Sequence, residues 1–218
     1  MGLRHRVRVK ICGITREEDL NMASDLGADA VGFVVGVPSS PRNIQLGRAE
    51  ELVGQVPVFM KSVLVIVPNG ADELVEACEI VRPDAVQIHG DAVTDLRHLR
   101  NRIPGTALIK GLRAGPEGIT QARSAGSFDA VLMDSLVPGK HGGTGIVHNW
   151  DVSSSIREAI HPRRLILAGG LNSENVAEAI KTVRPYAVDV STGVESSPGV
   201  KDPKKIEFFI KQVREMKS

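Results

Sequence analysis

The stretch VRVKIC, residues 7–12, alternates aliphatic with polar side chains. Successive side chains of a strand point to opposite faces. One face therefore carries Val7, Val9 and Ile11, and the other carries Arg8, Lys10 and Cys12. Burying an unpaired charge is costly, so an ordinary core strand would not place Lys10 on an inner face. The pattern predicts a strand whose aliphatic face meets helices and whose polar face lines the interior of a barrel.

The same alternation recurs in later apolar runs of the chain. It predicts that Gln87 and His89 point inward in one run, that Leu132 and Asp134 do so in another, and that Asp189 and Ser191 do so in a third. Several of these polar residues stand at the carboxyl ends of their runs. We expect a functional site there, since catalytic groups of parallel barrels lie at those ends.

Short β-branched runs and amphipathic helical stretches alternate eight times along the chain, which is typical of a parallel α/β sheet. The predicted strands are Val7–Cys12, Asp29–Val35, Phe59–Val67, Ala85–His89, Ala107–Leu112, Ala130–Asp134, Leu165–Ala168 and Ala187–Ser191. The predicted helices are Arg16–Leu26, Gly47–Val56, Ala71–Val81, Val93–Arg102, Pro116–Ala125, Val152–Ile160, Ser173–Val183 and Pro203–Lys217. Eight units favour a (β/α)8 TIM barrel over a doubly wound open sheet, which usually needs five or six strands. No linker divides the chain, and residues 1–218 are expected to form a single catalytic domain.

Composition narrows the class of ligand. The 218 residues include 27 Lys+Arg and 26 Asp+Glu, a net charge of +1, with 3% aromatic residues. This balance argues against a nucleic-acid platform, which combines a basic groove with stacking rings, so the expected ligand is small.

The longest apolar stretch, Ala30–Val37, is too short to span a membrane, and no secretory signal follows the basic N-terminal residues. We therefore expect a cytoplasmic protein. Its two cysteines are too few for a disulfide framework or a thiolate metal cluster.

Three residues with catalytic side chains end predicted strands, namely Cys12, His89 and Asp134. Each also has a structural interpretation. Cys12 could be a buried packing residue, as the helical spacing of Cys78 suggests for that residue. Asp134 could start a turn or cap a helix, and His89 could serve only in packing or hydrogen bonding.

Two turns that contain glycine follow the last two predicted strands. They comprise Gly169 and Gly170 in the first turn, and Ser191, Thr192 and Gly193 in the second. Many barrels bind phosphate at these two places through backbone N–H groups. The glycine-rich segment Gly142–Gly145 lacks the context of a nucleotide-binding loop, and we interpret it as a mobile loop. Lys140 and His141, just before it, could reach a ligand if the loop closed.

These residues together carry a resemblance to phosphoribosylanthranilate isomerases of tryptophan biosynthesis. The shared motifs span nearly the whole chain: KICGIT at 10–15, GADAVGF at 27–33, SPR at 40–42, VQIHGD at 86–91, Asp134, the loop at 142–145, LAGGL at 167–171, VDVSTGVE at 188–195, Gly199, and Lys201 with Asp202. Thr192 replaces a more usual serine, and residues 146–149 differ from the common family sequence.

The resemblance implies an Amadori rearrangement of N-(5′-phosphoribosyl)anthranilate to 1-(2-carboxyphenylamino)-1-deoxyribulose 5-phosphate. In that role Asp134 is the general acid that opens the ribose ring, and Cys12 is the general base that takes the proton from C2. Arg42 would contact the anthranilate, with His89 and Asp189 also among the substrate-binding residues. The turns with Gly169, Gly170, Ser191, Thr192 and Gly193 would bind the phosphate. No metal or organic cofactor is implied, and the chain could be a monomer or a homodimer.

Other functions remain as alternatives. A related sugar isomerase of histidine biosynthesis uses carboxylates at both catalytic positions, so Cys12 argues against it. A synthase barrel of the tryptophan pathway would need an additional N-terminal segment and a lysine and glutamate set that we do not find. A barrel that binds phosphorylated ligands without catalysis is the non-enzyme alternative, which intact Cys12 and Asp134 disfavour.

Ionisation of Cys12 requires help, because an ordinary thiol is mostly protonated at neutral pH. Lys10 shares the inward face of Cys12. The last strand closes the barrel beside the first, so Asp189 should lie in the same interior layer. We expect a Lys10–Asp189 ion pair below the site, either favouring the thiolate or serving only to fix the register of the barrel.

Overall fold

A computed structural model of the chain describes residues 6–93, 96–115, 117–134 and 150–216. Eight parallel strands form a closed barrel: β1 (Arg8–Cys12), β2 (Ala30–Val35), β4 (Lys61–Ile66), β5 (Ala85–Ile88), β6 (Ala107–Arg113), β7 (Ala130–Asp134), β8 (Arg164–Leu167) and β9 (Ala187–Val190). The strands follow one another around the barrel in chain order, and β1 pairs with both β2 and β9 to close it. The prediction of a (β/α)8 barrel is confirmed.

Helices connect the strands and cover the outside of the barrel. They are α1 (Glu17–Asp25), α2 (Leu46–Val53), α3 (Ala71–Val81), α4 (Leu96–Arg102), α5 (Gly118–Ser124), α6 (Trp150–Ile160), α7 (Val176–Val183) and α8 (Pro203–Glu215). The last begins with Pro203 after Asp202, whose side chain accepts a hydrogen bond from the Lys205 backbone N–H at 3.1 Å. Within the described ranges, no helix combines the length and apolar character needed to cross a bilayer.

The main differences from the predicted elements lie at their ends and in short additional strands. The strand predicted at residues 59–67 covers only Lys61–Ile66 in the structure. Met60 lies in a turn instead, where its backbone N–H donates to the Pro57 carbonyl at 2.8 Å. Three short strands were not predicted: β3 (Asn43–Ile44) beside β2, and the antiparallel pair β10 (Glu195–Ser197) and β11 (Val200–Lys201). A 3-10 turn at Thr192–Val194 precedes that pair. The predicted mobile loop at 142–145, with Lys140 and His141, lies outside the described residues.

Two separate apolar layers confirm the predicted faces of the strands. The outer layer, between strands and helices, contains Val9, Ile11, Val86, Val131 and Val188. The inner layer fills the barrel and contains Cys12, Val34, Val65, Leu132 and Ala168. The inner layer also holds the buried polar side chains of Lys10, Gln87 and Asp189. The polar faces of the strands therefore do point into the barrel.

Gly32 on β2 gives the inner face of β1 the space it needs. A Cβ atom at this position would lie 2.9 Å from Cys12 Sγ and 3.1 Å from Lys10 Nζ. Both distances are shorter than normal contacts, and both neighbours are buried. A glycine is thus required where the cysteine and the ammonium group lie over β2.

The variant Gly32→Ala should lower the free energy of unfolding by about 1–3 kcal/mol, because the new methyl group must displace buried atoms. Gly47→Ala in α2 is the matched control, since no atom lies within 4 Å of its added Cβ. There we expect a stabilisation of up to about 1 kcal/mol. Urea unfolding followed by circular dichroism measures both. Equal stability of the two variants would contradict the packing described for Gly32.

Candidate active site at the carboxyl ends of the strands

Cys12 ends β1 where the chain turns sharply over β2. Gly13 follows it with a φ of +76°, a conformation that favours glycine. The backbone N–H groups of Gly13 and Ile14 both donate to the Gly32 carbonyl at 2.9 Å. Arg42 packs against this turn, and a Cβ atom on Gly13 would lie only 2.5 Å from its Cδ. The turn thus fixes Cys12 at the barrel mouth and places Arg42 next to it.

Lys10 is the centre of the buried polar contacts. Its Nζ donates to Asp189 Oδ1 at 2.9 Å and to Gln87 Oε1 at 3.2 Å, and its charge also acts on the side chain of Cys12. The side chains of Lys10 and Asp189 are 4% and 9% exposed, and the two residues are register partners on β1 and β9. The predicted ion pair is therefore present.

Burial and neighbouring charges act in opposite directions on Cys12. Loss of solvent raises the pKa of its thiol and outweighs the other effects. Lys10 and Lys201 lower that pKa, while Asp189 raises it. The expectation that Lys10 favours the thiolate holds in direction, yet the pKa of the resting thiol stays above its ordinary value. For Lys10, burial alone would lower the pKa, but Asp189 and Cys12 raise it above the usual range.

A second charged cluster, formed by Arg42, Glu195 and Lys201, lies on the other side of Cys12. Arg42 donates two hydrogen bonds to Glu195, from Nε to Oε1 at 2.7 Å and from Nη2 to Oε2 at 2.6 Å. The fully buried Lys201 donates to Glu195 Oε1 at 2.8 Å and to the Cys12 carbonyl at 2.6 Å. Burial favours the neutral acid, but the two cations hold the pKa of Glu195 below its ordinary value.

Glu195 and Lys201 were not predicted as site residues, although both stand in the shared family motifs. The signal was weak because they lie on the short β10–β11 hairpin, outside the regular strand and helix pattern. Together with Lys10, Asp189 and Arg42 they make three cations and two anions around Cys12. The net local charge of +1 favours an anionic ligand or a thiolate.

His89 follows β5 and contacts Gln87 from the same inner face. Gln87 Nε2 and His89 Nε2 are 2.8 Å apart. The imidazole covers Gly111 on β6, where any Cβ atom would overlap the ring. Burial is the largest cause that lowers the pKa of His89, to about 4, and nearby Lys10 adds to it. His89 is therefore a neutral imidazole at physiological pH.

Asp134 and the two glycine turns occupy the remaining part of the barrel mouth. Asp134 ends β7, three strands from β1, on the inward face it shares with Leu132. Gly169 and Gly170 follow β8 with φ values of +86° and +65°. This turn touches the 3-10 turn after β9 so closely that a Cβ on Gly193 would overlap the Leu171 carbonyl.

Ser191 and Thr192 begin the second of these turns. The Ser191 Oγ is buried and has no hydrogen-bond partner among the described residues. It would lie 3.1 Å from a Cβ on Gly13, which places it between the cysteine turn and the glycine turns. An orphaned buried hydroxyl is costly, and a ligand oxygen in this position would satisfy it.

The fold and the site define a class: a (β/α)8-barrel protein whose ionisable and glycine-rich elements converge at one end, as in barrel enzymes that act on phosphorylated ligands. A family model described as N-(5′-phosphoribosyl)anthranilate (PRA) isomerase matches residues 9–212. The isomerase of that name from Methanothrix thermoacetophila is 43% identical over 208 residues, with 95% of this chain and 98% of the relative covered. The chain belongs to the N-(5′-phosphoribosyl)anthranilate isomerase family, which consists of aldose–ketose isomerases.

Solved structures of this family share the fold closely. Phosphoribosyl anthranilate isomerase from Thermotoga maritima gives a TM-score of 0.83 at 37% identity, covering 96% of this chain and all of that one. A complex of the isomerase with reduced 1-(o-carboxyphenylamino)-1-deoxyribulose 5-phosphate gives 0.79 at 36% identity, with coverage of 96% and 100%. Monomers generated from the dimeric Thermotoga maritima isomerase give 0.80 at 34% identity, again with 96% and 100% covered.

Removing the ammonium group tests its effect on the thiol. Lys10→Met should raise the pKa of Cys12, because it removes one of the two cations that lower this pKa against the effect of burial. Asp189→Asn is the matched control and should lower that pKa, because Asp189 acts in the opposite direction. The pH dependence of iodoacetamide alkylation at Cys12, read by peptide mass spectrometry, measures both shifts.

Lys10→Met also leaves Asp189 buried without its partner, which costs about 3–5 kcal/mol. Circular dichroism must therefore establish that the variant is folded at the temperature of the alkylation. An unchanged thiol pKa in folded Lys10→Met protein would leave the ion pair with a purely structural role.

Proposed function

We propose that this chain catalyses the Amadori rearrangement of N-(5′-phosphoribosyl)anthranilate to 1-(2-carboxyphenylamino)-1-deoxyribulose 5-phosphate, acting through residues 1–218 as one catalytic domain. The observation that carries the proposal is the inward cluster at the end of β1, in which Cys12 lies among Lys10, Arg42 and Lys201. It provides a buried potential base and an excess of positive charge for a substrate that carries a phosphate and a carboxylate.

Asp134 is proposed as the general acid. Its carboxylic acid would give its proton to the ribose ring oxygen as the bond from that oxygen to C1 breaks. The nitrogen lone pair then forms the C1=N bond of a protonated Schiff base. Asp134 stands at the end of a barrel strand, on the inward face, where a catalytic carboxyl group is expected.

Cys12 is proposed as the general base for the next step. Its thiolate would remove the proton from C2, and the electron pair of that C–H bond would form a C1=C2 enolamine. Proton addition at C1 and loss of the proton from the C2 hydroxyl then give the ketone. Burial disfavours the thiolate, yet a thiolate formed in a dry site is a stronger base than an exposed one.

The positively charged residues and the glycine turns suit the two ends of the substrate. Arg42 stays beside the cysteine turn through its two hydrogen bonds to Glu195, and its planar guanidinium can stack on an aromatic ring or bind a carboxylate. For the phosphate we propose the backbone N–H groups around Gly169, Gly170, Thr192 and Gly193, together with the Ser191 hydroxyl. His89 and Asp189 complete the proposed substrate-binding set.

Turnover by active-site variants tests the reaction. Substrate is generated in situ from anthranilate and phosphoribosyl pyrophosphate by a separate transferase, and its loss is followed by fluorescence. Cys12→Ser and Asp134→Asn should each lower kcat by about 10²–10⁴-fold, since each removes one proton-transfer group. Cys78→Ser, at the other buried thiol, is the matched control and should keep its rate. Wild-type rates in either site variant would reject the role assigned to that residue.

We further propose a homodimer formed at the amino-terminal end of the barrel. Val58 and Phe59, between α2 and β4, are 85% and 98% exposed. They adjoin a cavity of about 860 Å³ whose lining includes Val53, Val56 and Ile103. Because the protruding side chains and the cavity belong to one face, two copies related by a two-fold axis could each fill the other's cavity. The related Thermotoga maritima isomerase described as dimeric supports a second copy as the partner.

Phe59→Ser should raise the dimer dissociation constant by about thirtyfold or more, because a central aromatic anchor contributes about 2 kcal/mol or more. Phe208→Ser is the matched control, since Phe208 is an exposed phenylalanine on α8. Sedimentation equilibrium measures both constants. A wild-type chain that stays monomeric at all concentrations, or a Phe59→Ser variant that dimerises as tightly as wild type, would overturn the proposed interface.

A further inference from the structure

Gln87 connects the central ammonium group to His89 inside the barrel. Its Oε1 accepts from Lys10 Nζ at 3.2 Å, and its Nε2 lies 2.8 Å from His89 Nε2. The side chain is buried at 3% exposure. It has no role in the reaction steps proposed above, although it contacts two residues of the site.

The chemistry of Lys10 determines which way the Gln87 amide points. An ammonium group has only donors, so the amide oxygen must face it and the amide NH2 must face the imidazole. The opposite orientation would set the NH2 against the ammonium and leave buried donors unpaired, at a cost of about 1–3 kcal/mol. His89 Nε2 therefore accepts the hydrogen bond from Gln87 and carries no proton.

A neutral imidazole has one proton, which must then be on Nδ1. His89 is neutral because burial and the nearby cations Lys10, Lys110 and Arg113 lower its pKa to about 4, against the smaller opposing effect of Asp189. The ring cannot tilt toward β6, where it already covers Gly111. Its tautomer and its position are both determined by neighbours.

We propose that Gln87 is a positioning residue that holds His89 as the Nδ1–H tautomer, so that His89 donates a hydrogen bond to an oxygen of the substrate. The inference rests on the proposed function for the identity of the substrate. A tautomer with its proton on Nε2 would offer the substrate a lone pair instead of a donor at Nδ1. Gln87 thus selects a substrate with an acceptor oxygen at this point.

Nitrogen-15 NMR of the ligand-free protein reads the tautomer without any assay of activity. The His89 signals, assigned by comparison with His89→Asn, should show a protonated Nδ1 and an unprotonated Nε2 at neutral pH. Gln87→Glu offers the ring only acceptor oxygens, so the proton should move to Nε2 or the ring should become doubly protonated. The His98 signals are the internal control and should not change. An Nε2–H or doubly protonated His89 in the wild-type protein would overturn the inference.

Steady-state kinetics test the second half of the proposal. Where the proton moves to Nε2 in Gln87→Glu, one donor to the substrate is lost, and KM should rise about tenfold with a smaller change in kcat. A doubly protonated ring keeps its Nδ1 donor, and KM should then change little. Gln87→Met is the second variant, to be used if Gln87→Glu does not fold, because methionine is close to glutamine in size and uncharged. It should give a mixture of His89 tautomers and a raised KM. A changed tautomer with an unchanged KM would overturn the role in substrate binding. Absence of turnover in the wild type would reject the proposed function and leave the NMR result as an independent test of the tautomer.

Discussion

The Lys10 ammonium group is a charge buried in the interior of the barrel, and it needs partners there. It is paired with Asp189 and hydrogen-bonded to Gln87, and these two residues come from β9 and β5 while Lys10 itself is on β1. An unpaired buried charge would cost several kcal/mol, so these strands have to meet in one register. Pairing of the buried Lys10 charge requires β9 to close onto β1. It also requires the space that Gly32 leaves beside Lys10, and the thiol of Cys12 occupies part of that space. The same contacts that stabilise the fold therefore also build the site.

The charges near Cys12 are arranged as two linked clusters rather than as one ion pair. Lys10 approaches the thiol from inside the barrel, while Lys201 binds the Cys12 carbonyl from the β10–β11 hairpin. Glu195 accepts from Lys201 and Arg42, which keeps Arg42 at the cysteine turn. The excess cation favours anions at the site, whereas burial favours the neutral thiol. This balance allows Cys12 to be protonated at rest and strongly basic once it has ionised.

The sequence predicts the features that follow from periodicity. Alternation within strands predicts the inward positions of Lys10, Gln87 and Asp189, and the closure of the barrel predicts the Lys10–Asp189 pair. Contacts that depend on irregular segments were not predictable in this way. Glu195 and Lys201 lie on a two-stranded hairpin outside that pattern. Phe59 is predicted to be in a strand because the apolar residues Phe59 and Met60 come directly before the first residue of β4, Lys61. The hydrogen bond from Lys10 to Gln87 joins β1 to β5 across the interior, a distance that local pattern does not encode.

In the proposed reaction, turnover of phosphoribosylanthranilate depends on the Cys12 sulfur. The most direct measurement titrates wild-type enzyme with iodoacetamide and determines, in the same samples, the fraction of Cys12 alkylated and the fraction of activity lost. Cys78 serves as the internal reference, since it is the other buried thiol and its alkylation should not track the loss of activity. The proposed role of Cys12 as the base requires the two fractions to rise together, with full loss of activity at one alkyl group on Cys12. Retained turnover in protein fully alkylated at Cys12 would contradict it.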